Sequence, residues 1–321
     1  MAGGIKSLKL KNMRRFFKPR DIFSYNSKMP KVKKILKTIK KLEIKTNKLV
    51  EGLISGEYHS VFKGMGIEFS EVREYSPGDD IRTIDWNVTA RYNSPFVKEF
   101  IEERDLNVYI IFDVSASNEF GFERSKKETG FEIAASIMFS ALRNNDNVGL
   151  CLFTDKIEKF IKPRKGKKHV LRVLREMVYH EPKNRLTDIC KTLTTLNNII
   201  KRKSILFIIS DFITVKSFEK PLKFLKTRHD VILINLTDIR ETEIPDVGYI
   251  YLEDEETKEQ VLVDTSDKNF REFYFNEINK LNNKMTSSMK KLNVDMIQVN
   301  TDKPFYVPMR NFFKIRERRK R

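Results

Sequence analysis

The sequence predicts an α/β protein whose core is a doubly wound, mostly parallel β-sheet covered by helices on both faces. Three continuous apolar runs carry this prediction, because a strand buried on both faces shows no alternation of apolar and polar residues. They span residues 106–113, 204–212 and 230–238. Stretches with helical periodicity separate the runs, and alternation of strand and helix is typical of parallel sheets.

The remaining elements follow from periodicity and turn length. Helices are expected at 126–145, 166–179, 187–202, 217–227 and 269–292. Two more strands, 148–155 and about 157–163, are joined by a turn too short for a parallel crossover. The second of them is therefore predicted to be an antiparallel edge strand. With a last strand at 294–300, the sheet should have about six strands.

Charge and periodicity divide the chain into five segments. We expect a basic mobile extension at 1–30, an amphipathic helix at 31–56, a β-rich segment at 57–103, an α/β domain at 104–305 with a β-hairpin insertion at 247–264, and a basic tail at 306–321. The β-rich segment and the hairpin should form one appendage in mutual contact.

The basic character of the chain is confined to its two ends. Of the formal net charge of +18, residues 1–48 carry sixteen Lys or Arg and two acids, and residues 310–321 carry seven bases and one acid. Such arms attract polyanions, including an anionic membrane surface. No zinc-finger, RNA-recognition or helix-turn-helix pattern accompanies them, so we predict no specific nucleic-acid partner.

Hydropathy and cysteine content favour a cytoplasmic protein, with peripheral membrane attachment through the arms as an open alternative. No apolar run reaches the ~18 residues of a membrane helix. Two cysteines, Cys151 and Cys190, suit a reducing compartment, and neither is expected to form a disulfide or act as a nucleophile.

Polar side chains follow the predicted strands where a ligand site is expected in an open α/β sheet. The first buried strand ends in Asp113, Ser115 and Ser117, the second ends in Asp211, and the loop before helix 187–202 supplies Thr187. These are hard oxygen ligands, which suit Mg²⁺ or Mn²⁺. A D-x-S-x-S string alone is weak, since Ser and Asp are common in loops, but its position after a buried strand strengthens it.

This pattern resembles the metal-ion-dependent adhesion site of von Willebrand factor type A domains. Longer stretches resemble the short, soluble branch of the domain-of-unknown-function 58 family: residues 56–91, 96–106, 144–176, 209–212 and 262–267. The resemblance extends from residue 31 to about 315. Members of that family resemble partners of MoxR-type AAA-plus ATPases, in systems that look like chaperones for other protein complexes.

The resemblance implies roles for individual residues. Asp113, Ser115 and Ser117 match the D-x-S-x-S ligands and Asp211 matches the later aspartate. Thr187 is the best match for the threonine, with Thr192 and Thr194 as alternatives. In such sites the hydroxyls bind the metal directly, one or both aspartates bind through water, and one position accepts a carboxylate from a partner. The expected function is therefore a metal-dependent protein-interaction module that works with a MoxR-type ATPase and is not an enzyme.

The main alternative is a Mg²⁺-dependent hydrolase acting on a phosphate-containing substrate. Outside the ligands only Asp188 could serve as its base. In the β-rich segment, Asp79 and Asp80 could hold a metal, but the preferred interpretation is a turn with capping carboxylates and salt bridges. Trp86 is expected to anchor the core there.

Overall fold

The computed structural model describes residues 67–320 except 93, 103–105, 120–124, 214–215 and 254–258. The predicted basic extension at 1–30 and amphipathic helix at 31–56 lie outside the described residues.

A six-stranded sheet forms the centre of the molecule, in the order β10-β7-β6-β3-β4-β5. Its strands are β3 (Asn107–Asp113), β4 (Asn147–Phe153), β5 (Ile157–Arg164), β6 (Ile205–Ser210), β7 (Asp230–Thr237) and β10 (Asp295–Asn300). All neighbours pair in parallel except β4 and β5, which are antiparallel. The prediction of a mostly parallel sheet with one antiparallel edge strand is confirmed.

Helices cover both faces of the sheet. In chain order they are α1 (Trp86–Tyr92), α2 (Lys126–Arg143), α3 (Lys167–Tyr179), α4 (Ile189–Ile199), α5 (Glu219–Arg228), α6 (Lys268–Lys291) and α7 (Tyr306–Lys320). Apolar side chains of α2, α3 and α7 pack on one face, and those of α4, α5 and the end of α6 pack on the other. Alternate residues of β3 pack into the two apolar layers on opposite faces of the sheet, as expected for a strand buried on both faces.

Two small sheets accompany the central one. Strands β1 (Ile67–Glu74) and β2 (Phe96–Glu102) pair antiparallel, and α1 lies between them in the chain. Strands β8 (Tyr249–Glu253) and β9 (Gln260–Asp264) form the predicted hairpin, whose Leu252 packs with Tyr274 and Ile278 of α6. The two are separate sheets, and the predicted contact between them stays a prediction.

The predicted basic tail at 306–321 is instead largely the helix α7. Phe305, Met309 and Phe313 recur every four residues and are buried in the core. This spacing puts the three side chains on one face of a helix. The sequence predicts a basic tail here because charged residues are dense in the same stretch.

Trp86 does not anchor the core, contrary to the prediction. It begins α1 and is 70% exposed. Within the described part of the chain, none of the residues of this seven-residue helix is buried.

Within the part of the chain that the structure describes, no helix combines the length and apolar character needed to cross a membrane.

Candidate metal centre

The carboxyl ends of β3 and β6 meet at one edge of the sheet, because the two strands are parallel neighbours. Asp113 ends β3 and Ser210 ends β6. The Ser210 hydroxyl donates to Asp113 Oδ2 at 2.7 Å, and both side chains are fully buried. The sheet thus fixes the carboxylate of Asp113 beside the strand that leads to Asp211.

The loop after β3 presents two hydroxyls beside this carboxylate. The Ser115 amide donates to Asp113 Oδ1 at 3.0 Å, and the Oγ atoms of Ser115 and Ser117 are 3.1 Å apart. The Val114 amide donates to the Phe153 carbonyl of β4 at 2.9 Å, which holds the loop over the sheet edge. Three of the predicted ligands are therefore brought together by local hydrogen bonds.

A second loop, residues 185–188, runs alongside the first. The Ala116 amide donates to the Arg185 carbonyl, and the Asp188 amide donates to the Thr154 carbonyl, each at 3.2 Å. Between these two anchors, Thr187 Oγ1 is buried and has no hydrogen-bond partner among the described residues. Burying a hydroxyl without a partner costs free energy, so a ligand that binds this hydroxyl would stabilise the protein.

The two rival threonines are placed differently. Thr194 is exposed, and its hydroxyl donates to the Cys190 carbonyl of the preceding helical turn at 2.8 Å. Thr192 Oγ1 is buried and, like that of Thr187, has no hydrogen-bond partner in the part of the chain that the structure describes. Thr192 lies within α4, however, whereas Thr187 lies in the loop bonded to residues 114–117. The geometry favours Thr187.

Asp211 is bound by a lysine that the sequence prediction missed. The Lys126 ammonium, from the first turn of α2, donates to Asp211 Oδ2 at 2.7 Å and also to the carboxylate of Glu241. All three side chains are buried. The other oxygen of Asp211 accepts the Ile213 amide at 3.1 Å.

A signal for Lys126 was present in the sequence. Lys126, Gly130, Ile133 and Ile137 follow one another at intervals of four, three and four residues, which places the lysine on the buried face of α2. A lysine in that register needs a buried anion. The identity of its partners depended on tertiary contacts, since Asp211 and Glu241 are 85 and 115 residues away.

Negative charge is in excess at this edge. Burial and the repulsion of Asp211 raise the pKa of Asp113 to about 6. Burial disfavours the charged form of Lys126, but the attraction of Asp211 and Glu241 outweighs it and raises its pKa. Burial likewise raises the pKa of Glu241. With all four groups ionised, three carboxylates and one ammonium leave a charge of −2, which a divalent cation would balance.

The carboxylate considered as a base for hydrolysis is already engaged. Asp188 caps α4 by accepting the Lys191 amide, and it accepts the Lys216 ammonium at 2.7 Å. Burial opposes its charge, yet the hydrogen bonds from Lys216 and the Lys191 amide lower its pKa. A low pKa makes a poor general base near neutral pH.

Three aspartates of the β-rich segment, Asp79, Asp80 and Asp85, have structural partners. Arg73 forms a two-pronged ion pair with Asp79 at 2.7 and 2.8 Å. Asp80 accepts the Arg82 amide at the start of a 3-10 turn, and Asp85 accepts the amides of the first turn of α1. These contacts fit the turn-and-salt-bridge interpretation of this segment.

Comparison with known proteins places the chain among relatives of unassigned activity. The family described as "Protein of unknown function DUF58" matches residues 71–284, from β1 through most of α6. Uncharacterized protein Rv1480 of Mycobacterium tuberculosis is 30% identical over 227 residues, 70% of this chain and 72% of that protein. Uncharacterized protein YeaD of Bacillus subtilis is 32% identical over 109 residues, 34% of this chain and 25% of YeaD.

Two solved structures are similar at low identity. An aerotolerance-related membrane protein from Bacteroides fragilis has a TM-score of 0.43 and 12% identity, covering 67% of this chain and 99% of that one. The conserved hypothetical protein BatB from Bacteroides thetaiotaomicron has a TM-score of 0.42 and 12% identity, covering 66% and 99%. Both overlays are too loose to add to the fold described above.

Proposed function

The chain belongs to the family described as protein of unknown function DUF58, and we propose that this member is a metal-dependent protein-interaction module with a von Willebrand factor type A-like domain. Mg²⁺ or Mn²⁺ would be held by Asp113, Ser115, Ser117, Thr187 and Asp211. The metal would offer one coordination position to a carboxylate of a protein partner. The metal ion would thus link this protein to its partner.

The observation that carries the proposal is the buried hydroxyl of Thr187, which has no hydrogen-bond partner among the residues described and lies beside the loop of Ser115 and Ser117. Three hydroxyls and two carboxylates from separate loops make up a hard-oxygen donor set. The donor chemistry therefore fits Mg²⁺.

Charge supports the same conclusion. A divalent cation would offset the excess of −2 among Asp113, Asp211, Glu241 and Lys126, and would relieve the repulsion between Asp113 and Asp211. Lys126 keeps one oxygen of Asp211 occupied. Asp211 would then act through its remaining lone pairs or through a bound water, as the resemblance implies.

The partner class is taken from the family resemblance. We propose a MoxR-type AAA-plus ATPase or its client protein, which would supply a Glu or Asp to the metal. The module would then serve as an adaptor in the maturation of protein complexes.

Metal binding is tested first. Titrating purified protein with Mg²⁺ and Mn²⁺ in a calorimeter should give one site, lost in Asp113→Asn and weakened in Ser115→Ala. Thr187→Val and Thr192→Val form a matched pair, because both remove a buried hydroxyl without changing shape much. We expect only Thr187→Val to weaken binding by about tenfold or more, the scale of one lost charge-assisted contact. Equal effects of the two variants would show that Thr187 is not a ligand.

Partner binding is tested separately. The module should capture a MoxR-type ATPase of the same organism in Mg²⁺, release it in chelator, and fail to capture it as Asp113→Asn. The isolated chain should show no turnover of nucleotides or phosphate esters. Metal-dependent turnover that is lost in Asp211→Asn, together with capture that ignores chelator, would establish the hydrolase alternative instead.

A further inference from the structure

The edge of the central sheet opposite the candidate metal centre is strongly basic. The starts of five strands and the end of β5 meet there: Asn147 lies opposite Asn107, Ile205 opposite Val108, Asp230 opposite Ile205, Asp295 opposite Ile232 and Arg164 opposite Val148. Arg316 of α7 reaches the same edge, where it binds Asp230. We call this edge the basic face; it consists of segments 143–147, 164–168, 200–204, 228–230, 290–295 and 316–319.

The charge of the basic face exceeds what neutralisation within the fold requires. Its segments hold fourteen Lys or Arg and four acids, a formal charge of +10. Three of the acids are engaged inside the fold, since Asp230 and Asp295 bind Arg316 and the buried Asp146 accepts the Leu106 amide. The most densely basic segments, 164–168 and 201–203, have every Lys and Arg exposed.

The opposite edge carries charge of the other sign. The segments that follow the strands there, 113–119, 153–157, 210–213, 237–241 and 300–303, hold three bases and seven acids, a formal charge of −4. Helix dipoles explain some of the bases, because Arg143, Arg228, Lys290 and Lys291 lie in last helical turns. They do not explain segment 164–168, because its Lys167 and Lys168 begin α3, at the positive end of the helix dipole.

We propose that the basic face is a docking surface for an anionic lipid bilayer. The six strand ends span about 24 Å at about 4.8 Å per strand, a broad surface suited to a planar array of negative charge. Ile199 precedes segment 200–204 and Ile315 precedes segment 316–319. They are 44% and 51% exposed and can enter the headgroup region. None of the six segments contains Phe, Tyr or Trp, and the ring of His229 is buried, so the basic face offers no exposed aromatic ring on which a nucleobase could stack.

Docking in this orientation would turn the carboxyl edge of the sheet, and the Asp113 loop with it, away from the bilayer. The basic face and the candidate metal centre involve different residues. The proposal therefore holds whether or not a metal binds at the carboxyl edge.

The test is binding of the full-length chain to vesicles of two parts phosphatidylcholine to one part phosphatidylglycerol, by co-sedimentation at about 0.15 M salt. Two charge-reversal variants replace Lys201, Arg202 and Lys203, or Lys165, Lys167 and Lys168, by Glu. Each Lys or Arg near an anionic surface contributes appreciably to the free energy of membrane binding. Each variant should therefore lower the partition coefficient by at least about tenfold. Circular dichroism checks that both variants fold.

The matched control replaces Lys156, Lys268 and Lys303 by Glu. All three are exposed and distant from the basic face: Lys156 in the turn between β4 and β5, Lys303 after β10, and Lys268 at the far end of α6. This control makes the same change in net charge, and its partitioning should stay within about twofold of the wild type, as expected for charges beyond a Debye length.

Three results would overturn the proposal. The first is no binding of the wild-type chain to these vesicles. The second is equal loss in the control and the charge-reversal variants, which would mean that net charge and the terminal arms account for all the attraction. The third is displacement of the chain from vesicles by duplex DNA, with the same variants losing DNA binding, which would assign the basic face to nucleic acid.

Discussion

The ammonium of Lys126 joins carboxylates from two distant parts of the chain, Asp211 and Glu241. Replacing it by an apolar residue would leave both carboxylates buried without their cation. Breaking a buried ion pair from one side costs about 3–5 kcal/mol, and we expect Lys126→Met to lower the free energy of unfolding by about that amount in urea denaturation. Lys284→Met, at an exposed site of α6, is the control and should change it by less than about 0.5 kcal/mol.

An unchanged Lys126→Met protein would mean that the buried triad contributes nothing to the fold. The result also bears on the metal centre, because Lys126 fixes one oxygen of Asp211. If Mg²⁺ binding survives in the folded variant, the metal does not depend on this positioning.

Glu158 holds the start of the loop that leads to Thr187. Its carboxylate accepts the Thr154 hydroxyl, the His180 ring and the amides of Lys183 and Asn184. Burial works against the charged form, but these hydrogen bonds outweigh it and lower the pKa of Glu158. A carboxyl with a lowered folded pKa contributes stability that is full above its unfolded pKa, about 4.3, and is lost as pH falls below that value.

Glu158→Gln should therefore destabilise the protein near neutral pH and matter less in acid. We expect a loss of about 1–3 kcal/mol at about pH 7, the range for removing hydrogen bonds to a charged acceptor. The difference from wild type should shrink as the pH falls through about 4, measured by urea denaturation at several pH values. Glu176→Gln, whose partly exposed carboxylate pairs with Lys159, should lose less than about 1 kcal/mol. A pH-independent difference would show that the ionised form of Glu158 is not what stabilises the loop.

The contact of α2 with β3 depends on a glycine. A Cβ on Gly130 would lie 2.7 Å from Phe112 Cε2 and 3.1 Å from Leu236 Cδ1. Phe112 is fully buried and precedes Asp113, so a shift of β3 would move the candidate ligand too. The helix packs this closely because one of its core-facing positions has no side chain.

Gly130→Ala should lower the free energy of unfolding by about 1–2 kcal/mol. Overpacking costs about 1–3 kcal/mol, and the better helix propensity of alanine returns up to about 1 kcal/mol. Adding Phe112→Leu should relieve the clash, so that the double mutant is more stable than the sum of the single effects by at least about 0.5 kcal/mol. Strict additivity would exclude the Phe112 ring as the source of the cost.

The two ends of the chain should differ in what they contribute to the whole molecule. Residues 1–28 have too little apolar periodicity to bury much surface, so their deletion should leave the melting temperature nearly unchanged. Deleting 306–321 removes the buried side chains of Met309 and Phe313, worth at least about 3 kcal/mol together. At about 2–4 °C per kcal/mol for a protein of this size, the melting temperature should fall by about 6–12 °C or more.

Scanning calorimetry of the two deletions distinguishes these cases. A large drop after removing residues 1–28 would show that the extension contributes to the core. No drop after removing 306–321 would show that α7 is only loosely attached.

The sequence by itself determined the central sheet, because strands buried on both faces must be continuously apolar and the turn after β4 is too short for a crossover. It also determined that Asp113, Ser115 and Ser117 follow the first of these strands, where local hydrogen bonds then hold them. These properties depend on residues close together in the chain and on the pattern of apolar residues, both of which are visible in the sequence.

Only the tertiary structure decided which distant groups meet. The link between Lys126, Asp211 and Glu241, the contact between the loop after β3 and the loop of Thr187, and the assembly of the basic face all join residues far apart in sequence. The same holds for α7. Its apolar residues stand among many charged ones in the sequence, and only the structure shows that they pack against the core. The order of the strands decides which loops lie at the same edge of the sheet, and so which charged and hydroxyl groups meet there. The composition of the sequence carries no information about that order.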